Sequence, residues 1–442
     1  MSSALDVRLE WESAHGVSTP ELAATWARYE VWVGGACVTQ VESNDGTLRR
    51  SVYGSLYPLA EWIASNWWLL KSHIRPSAVD SRYCTWRNSD SESWLEYHNF
   101  RAAGNGMAWP NLTLIPEGAT MRALWYWDRS PVFESVRFAV NGRATIRADD
   151  ALEGLAAVVE NVVGRLAETG HPNTRLAEEW AAISNADAEE DDFCRTVARL
   201  GLDPYSIEDE LADEVIAVAS RISSEVAADF FDTADPAALD DAATWAEQAA
   251  AAAQAASTEA QEDLSVLFGA VFPAKSLLAD LDRPWEAGYE MARRVRRELG
   301  VASTAEFDPT PWVGFGQISG ASYGLQGFGA VSDGRCGAVF GSELVAPSSR
   351  RFGGARVLGR ALMESDQTEF VLSSARGRKE RAAGAFAAEL LAPAEAIREG
   401  LAAIGKQSDV AIEAVARYFN VSPLLVRHQY DNQIADGADA LD

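Results

Sequence analysis

Residues 350–362 read RRFGGARVLGRAL, and residues 380–393 read ERAAGAFAAELLAP. The second stretch repeats Ala383, Phe386, Ala387, Leu390 and Leu391 at three and four residues, the spacing of one helical face turned toward a core. Glu380 falls in phase with that stripe. The first stretch carries Arg356 and Arg360 four residues apart, hence on one side of a helix. A carboxylate buried without a partner is costly, so one arrangement sets both guanidinium groups against Glu380 as an internal strut. The plain alternative leaves all three on the surface.

The two segments resemble the ImmA/IrrE family of zinc-dependent metallopeptidases. There an arginine-phenylalanine pair, here Arg351-Phe352, leads into an HExxH helix, and a later helix reads ExxANxFAAxLLxP. PWEAGYEMARRVRRELG (284–300) is similar to the family's first helix, and VARYFNVSPLLVRHQYDN (415–432) to its helix-turn-helix-like tail. The resemblance covers about residues 266–432. It implies a zincin-like, mainly helical C-terminal domain with a small sheet. It also implies a metal site at the positions held here by Arg356, Val357 and Arg360, with Glu380 at the third ligand position and Gly384 where the family has asparagine.

Those departures decide the chemistry. Arginine offers no lone pair to a metal, and valine cannot accept a proton from the attacking water. One carboxylate does not hold catalytic zinc, and His428 is the nearest histidine in sequence. No cofactor is therefore expected and no catalytic residue is assigned: Arg356, Val357, Arg360 and Glu380 form a degenerate metal site. Ligands recruited from the N-terminal domain, such as His73 or His98, remain an alternative.

Residues 350–381 contain eight basic side chains against four acidic ones. Arg350, Arg351, Arg376, Arg378, Lys379 and Arg381 make a possible binding patch for an anion or acidic peptide; solvated helix ends are the other reading. In the tail, Ile412, Val415, Ala416 and Phe419 precede a break at Asn420, then Ser422 as N-cap and Pro423 at the first helical position. The second helix offers only Arg427, His428, Gln429 and Asn432 to DNA, so packing is the expected role.

Working outward, residues 1–170 hold 11 of the 15 tryptophans. Gly34-Gly35 and Asn141-Gly142 each read as the turn of a hairpin, joining Tyr29–Val33 to Ala36–Val41 and Val136–Val140 to Arg143–Arg147. Between them, Leu59, Trp62, Ile63, Trp67 and Leu70 give an amphipathic helix opened by Pro58. A capped helix starting at Asp149 and Asp150 closes this α+β domain. The tryptophans read as core, with a ligand groove as the alternative. Residues 171–265 read as an acidic, alanine-rich helical region. Its run Asp187, Glu189, Glu190, Asp191 and Asp192 is a helix start or a contact for a basic partner. Residues 266–442 form the third domain. There Gly314, Gly316 and Gly320 are spaced one residue too widely for a dinucleotide fingerprint and read as short strands and turns.

A net charge of −27 disfavours broad nucleic-acid binding and anionic membrane surfaces. Four scattered cysteines without a CxxC pair, and no leader or long apolar run, are expected of a cytoplasmic protein. The resulting expectation is an α+β pseudopeptidase, a protein-binding module in regulation or phage defence. An enzyme with its site in the N-terminal domain and a DNA-binding regulator acting through the tail are the alternatives.

Overall fold

The chain divides into two units, residues 1–208 and 209–442. A computed structural model describes residues 5–43, 45–74, 93–128, 136–279, 283–342, 344, 346–375, 377–404 and 408–435. Both units mix helices with small sheets, as an α+β chain should.

The first unit opens with β1 (Leu5–Trp11), α1 (Pro20–Ala24) and β2 (Trp26–Val33). Burial alternates along β2, the period of a strand with one face on a core. Gly34 and Gly35 take positive φ, 56° and 85°, and reverse the chain in two residues so that β3 (Ala36–Cys37) pairs back on β2. β4 (Val41–Ser43) pairs with β5 (Leu48–Arg49) in a separate sheet, and β6 (Val52–Ser55) returns to β2.

The amphipathic stretch expected next forms two helices, α2 (Tyr57–Ser65) and α3 (Trp67–Ser72). They part at Asn66, whose backbone leaves the helical region and whose side-chain amide donates to the Trp62 carbonyl. Then come α4 (Ser93–His98), β7 (Asn111–Pro116), β8 (Thr120–Tyr126), β9 (Val136–Phe138) and β10 (Gly142–Arg147).

The second expected hairpin does not form: β9 pairs with β4, and β10 with β8. Neither Asn141 nor Gly142 takes a positive φ. Gly142 instead lets the Trp125 ring lie flush, since a Cβ there would sit 2.3 Å from it.

α5 (Ala148–Glu168) carries Asp149 and Asp150 in its first turn, where the helix dipole favours them, and buries Leu155, Val158, Val159 and Val162. No side chain caps it, in contrast to the expected capped start. α6 (Arg175–Asn185) and α7 (Ala188–Arg199) complete the unit. Asp187 caps α7 by accepting from the Glu189 and Glu190 amides, so the acidic run is a helix start. Trp62, Trp68, Trp94, Trp109 and Trp125 are buried, which makes them core, while Trp86 lies outside the described residues.

The second unit runs α8 (Asp209–Arg221), α9 (Ala227–Phe231), α10 (Leu239–Ser257), α11 (Ser265–Lys275) and α12 (Pro284–Glu298), then β11 (Val313–Phe315), β12 (Gly327–Ser332) and β13 (Arg335–Phe340). After these come α13 (Pro347–Met363), β14 (Glu369–Leu372), α14 (Arg378–Leu391), α15 (Ala394–Ile404), α16 (Asp409–Tyr418) and α17 (Pro423–Gln433). The sheet order is β11-β13-β12-β14, parallel only between β11 and β13.

The unit boundary falls inside the expected middle region, residues 171–265, and divides it: α6 and α7 belong to the first unit, α8 to α10 to the second. The reason lies in the packing of α10. A Cβ at Gly337 or Gly314 would lie 1.9 or 1.8 Å from the carbonyl oxygens of Ala253 and Ala256. The alanine run and the glycine-rich strands are therefore two sides of one close contact, backbone on backbone. Among the described residues no helix is long and apolar enough to cross a membrane.

Candidate functional site

Arg356, Val357, Arg360 and Glu380, expected from the sequence to form a degenerate metal site, lie on α13 and α14, two helices that pack together. Val357 is fully buried among the apolar side chains of the unit. Arg356 and Arg360, one turn apart on α13, both reach Glu380 in the first turn of α14. Arg356 donates to Glu380 Oε2, and Arg360 Nη1 to Glu380 Oε1 at 2.7 Å. Their side chains are 10% and 0% exposed, and that of Glu380 8%, which rules out the surface arrangement.

Arg360 is the hub. Besides Glu380 it engages Glu364, the C-cap of α13 four residues on, and Asp229 of α9 through Nη2 at 2.6 Å. Nη1 also donates to the Val371 carbonyl at 3.3 Å, and the guanidinium carbon stands 5.5 Å from the centre of the Phe370 ring. Burial alone would weaken the hold of this guanidinium on its proton. The charges of Asp229, Glu380 and Glu364 more than reverse that, so its pKa moves upward and it stays a cation.

Arg356 completes its shell with the Gln326 side chain and the Ser373 carbonyl, both at 2.7 Å. Lys379 reaches Glu364 at 2.7 Å from the outer side.

The same groups close the sheet. β14 is the last strand in sheet order, so one edge faces away from β12. Along it the Val371 and Ser373 carbonyls accept from Arg360 and Arg356, and the Ser373 amide donates to Glu380 at 3.4 Å. At its start, the Thr368 and Glu369 amides donate to the Glu225 carboxylate at 2.7 and 3.1 Å. The Thr368 amide holds that carboxyl below its usual range. Burial, with Glu225 nearby, moves Glu369 the other way. An edge that would otherwise present open backbone groups is covered by charged side chains.

Zinc does not fit this donor set. Three of the four positions carry side chains without a lone pair to give, and both Glu380 oxygens are already engaged by guanidinium groups. Among the described residues, no group of three or more His, Cys, Asp and Glu could hold a metal ion. His73 and His98, the alternative ligands, lie in the first unit and face each other.

The proposed cationic patch is largely spent on internal contacts. Arg350 donates to the Leu344 carbonyl. Arg351 holds the Phe419 and Asn420 carbonyls at 2.6 and 2.9 Å, and that of Phe307, fixing the turn between α16 and α17. Arg381 stacks 4.7 Å over Trp285, and Arg378 begins α14. Arg376 lies outside the described residues.

Spacing puts Arg356 and Arg360 on one side of α13, and it could also have yielded Glu364, four residues beyond Arg360; Glu380 meets them through the packing of α14 on α13. Nothing in the spacing points to Asp229, which is 131 residues away. A second centre was not found in the sequence reading. Glu389, 2% exposed, accepts from Arg293 and from Gln429 and Gln433, each at 2.9 Å, and so fixes α17 to α12 and α14. Ser422 caps α17 as its sequence suggests. In comparisons with known proteins, no family model and no curated protein matches this chain.

Proposed function

We propose that this chain is a catalytically inactive, ImmA/IrrE-like pseudopeptidase that works by binding another protein, in regulation or in defence against phage. The observation that carries this reading is Arg360, wholly buried at a frame position where a peptidase would need a metal ligand, and held there by three carboxylates. A guanidinium remains protonated and has no lone pair, so the centre can serve as an internal brace but not as a Lewis-acid site. The Glu389 and Arg351 contacts support packing rather than DNA reading for the tail, because they tie α17 and the turn before it to the body of the unit.

The test is to load the purified full chain with excess zinc, remove the free metal, and measure bound zinc together with cleavage of an unfolded protein substrate, with and without chelator. Well under one zinc per chain and no chelator-sensitive cleavage are expected. One tightly held zinc per chain would overturn the reading. The binding half is tested by titrating the chain with products of adjacent genes, where a stable complex with a regulator or defence component is expected.

A further inference from the structure

The first unit contains a buried pair of histidines that the reading above does not use. His73 follows the last residue of α3, and His98 ends α4. His73 Nδ1 and His98 Nε2 face each other at 3.3 Å, with His98 fully buried and His73 9% exposed. The ring of Trp94 stacks on His98, 4.1 Å between centres and 19° from parallel. On the other side Gly201 lies so close that a Cβ would sit 2.9 Å from His73 Nε2.

The charged groups on the elements packed here do not act on either ring. α2 brings Glu61, α4 Glu96, and the 3-10 turn Phe100–Ala103 brings Arg101, which pairs with Asp128. α3 brings Lys71, which pairs with Asp191 of α7; the same helix carries Glu189, Glu190, Asp192, Arg195, Arg199 and the thiol of Cys194. β7 contributes none. Burial lowers the pKa of both imidazoles, the charge of His73 lowers that of His98 further, and a hydrogen bond with the backbone of Leu114 in β7 acts on His98 in the opposite direction.

The chemistry of two facing imidazole nitrogens limits what this contact can hold. One N–H and one lone pair make a hydrogen bond, and that arrangement survives while at least one ring is neutral. With both rings protonated, two N–H groups point at each other, and two like charges share a site that no carboxylate among the described residues neutralises. We propose that the His73–His98 contact is an acid-operated latch between α3 and α4, closed while at least one ring is neutral and opened when both are protonated.

The folded state resists that change. Burial pushes His73 down to about 4, and burial together with the charge of His73 pushes His98 well below its usual value. A base whose folded pKa is depressed contributes stability above its unfolded value, about 6.5, and loses it as pH falls toward and through the folded value. The element released is defined by packing. Trp94 and Leu95 of α4 form a small apolar cluster with Ile115 of β7 and Leu124 of β8.

Hydrogen exchange of the full chain, corrected for the intrinsic pH dependence of exchange, tests the latch. Between pH 7 and pH 4.5, protection in residues 67–72 and 93–98 should fall by up to about a hundredfold per pH unit for a two-proton opening. The second unit should not lose protection in step. His98→Phe preserves a ring against Trp94 and removes one of the two titrations, so its α4 protection should fall by at most about tenfold per pH unit over the same range. Equal pH profiles in the two proteins, or unchanged α4 protection in wild type down to pH 4.5, would overturn the latch. If the variant does not fold, imidazole nitrogen shifts of the wild type decide. Both rings should be neutral at pH 6, and titration of either ring near its ordinary value of about 6.5 sinks the proposal.

Discussion

Arg360 concentrates the electrostatics of the second unit in one side chain. Its guanidinium is fully buried and faces three carboxylates. Removing it leaves those carboxylates together in low dielectric, a loss that broken buried pairs put at about 3–5 kcal/mol. Glu380→Ala is expected to cost less, about 1–3 kcal/mol, because Arg360 keeps Asp229 and Glu364 while Arg356 keeps Gln326 and the Ser373 carbonyl. Denaturant melts of the wild type, Arg360→Ala, Glu380→Ala and the double variant check the ranking. The coupling energy should lie in the range of about 0.5–3 kcal/mol found for residues in direct contact; a value near zero would mean that the pair bears no load. Helical periodicity places Arg356 and Arg360 on one side of α13 and Glu380 in phase with the inward stripe of α14, while the facing of the two helices was implied only by the resemblance of these segments to a known family. Asp229 is legible in neither, because it arrives through tertiary packing of a distant helix, and sequence spacing says nothing about such neighbours.

At the scale of elements, glycine does opposite things in two helix contacts. Gly337 of β13 lies under α10 with its missing Cβ 1.9 Å from a backbone oxygen, so Gly337→Ala must push a 19-residue helix off the sheet. Overpacking of this kind costs about 1–3 kcal/mol, and more where backbone rather than a side-chain tip must yield. Gly384 sits inside α14 with nothing within 4 Å of an added Cβ. There alanine should stabilise by about 1 kcal/mol through helix propensity alone. Thermal melts of the two variants should move in opposite directions, and a shift of the same sign in both would contradict this account of the packing. The contrast also marks what sequence reading can reach. A glycine-rich strand run and an alanine-rich helix are each visible by composition, but their mutual fit depends on which faces meet. Asn141-Gly142 fails as a hairpin signal for the same reason, since the glycine answers to the Trp125 ring and not to a turn.

For the whole molecule, the decisive quantity is where the second unit begins. Read from the sequence, the last domain begins at residue 266, yet α10 covers β11, β12 and β13 from upstream of that point. Asp229 supplies one of the three carboxylates around Arg360, and Glu225 caps the start of β14. A fragment of residues 266–442 therefore lacks the helix that fills the sheet's glycine face, exposing apolar surface and open backbone. It also leaves Arg360 with two carboxylates where the intact unit gives three. A fragment of residues 209–442 retains all of these contacts. The expectation is that the longer fragment is monodisperse and melts cooperatively, while the shorter one aggregates or shows helical circular dichroism without a cooperative transition. Size-exclusion chromatography and thermal melts of both fragments under identical conditions check this. The result to look for against it is cooperative melting of residues 266–442 at the same temperature as residues 209–442. That outcome would mean that α8 to α10 rest on the sheet without being part of its fold.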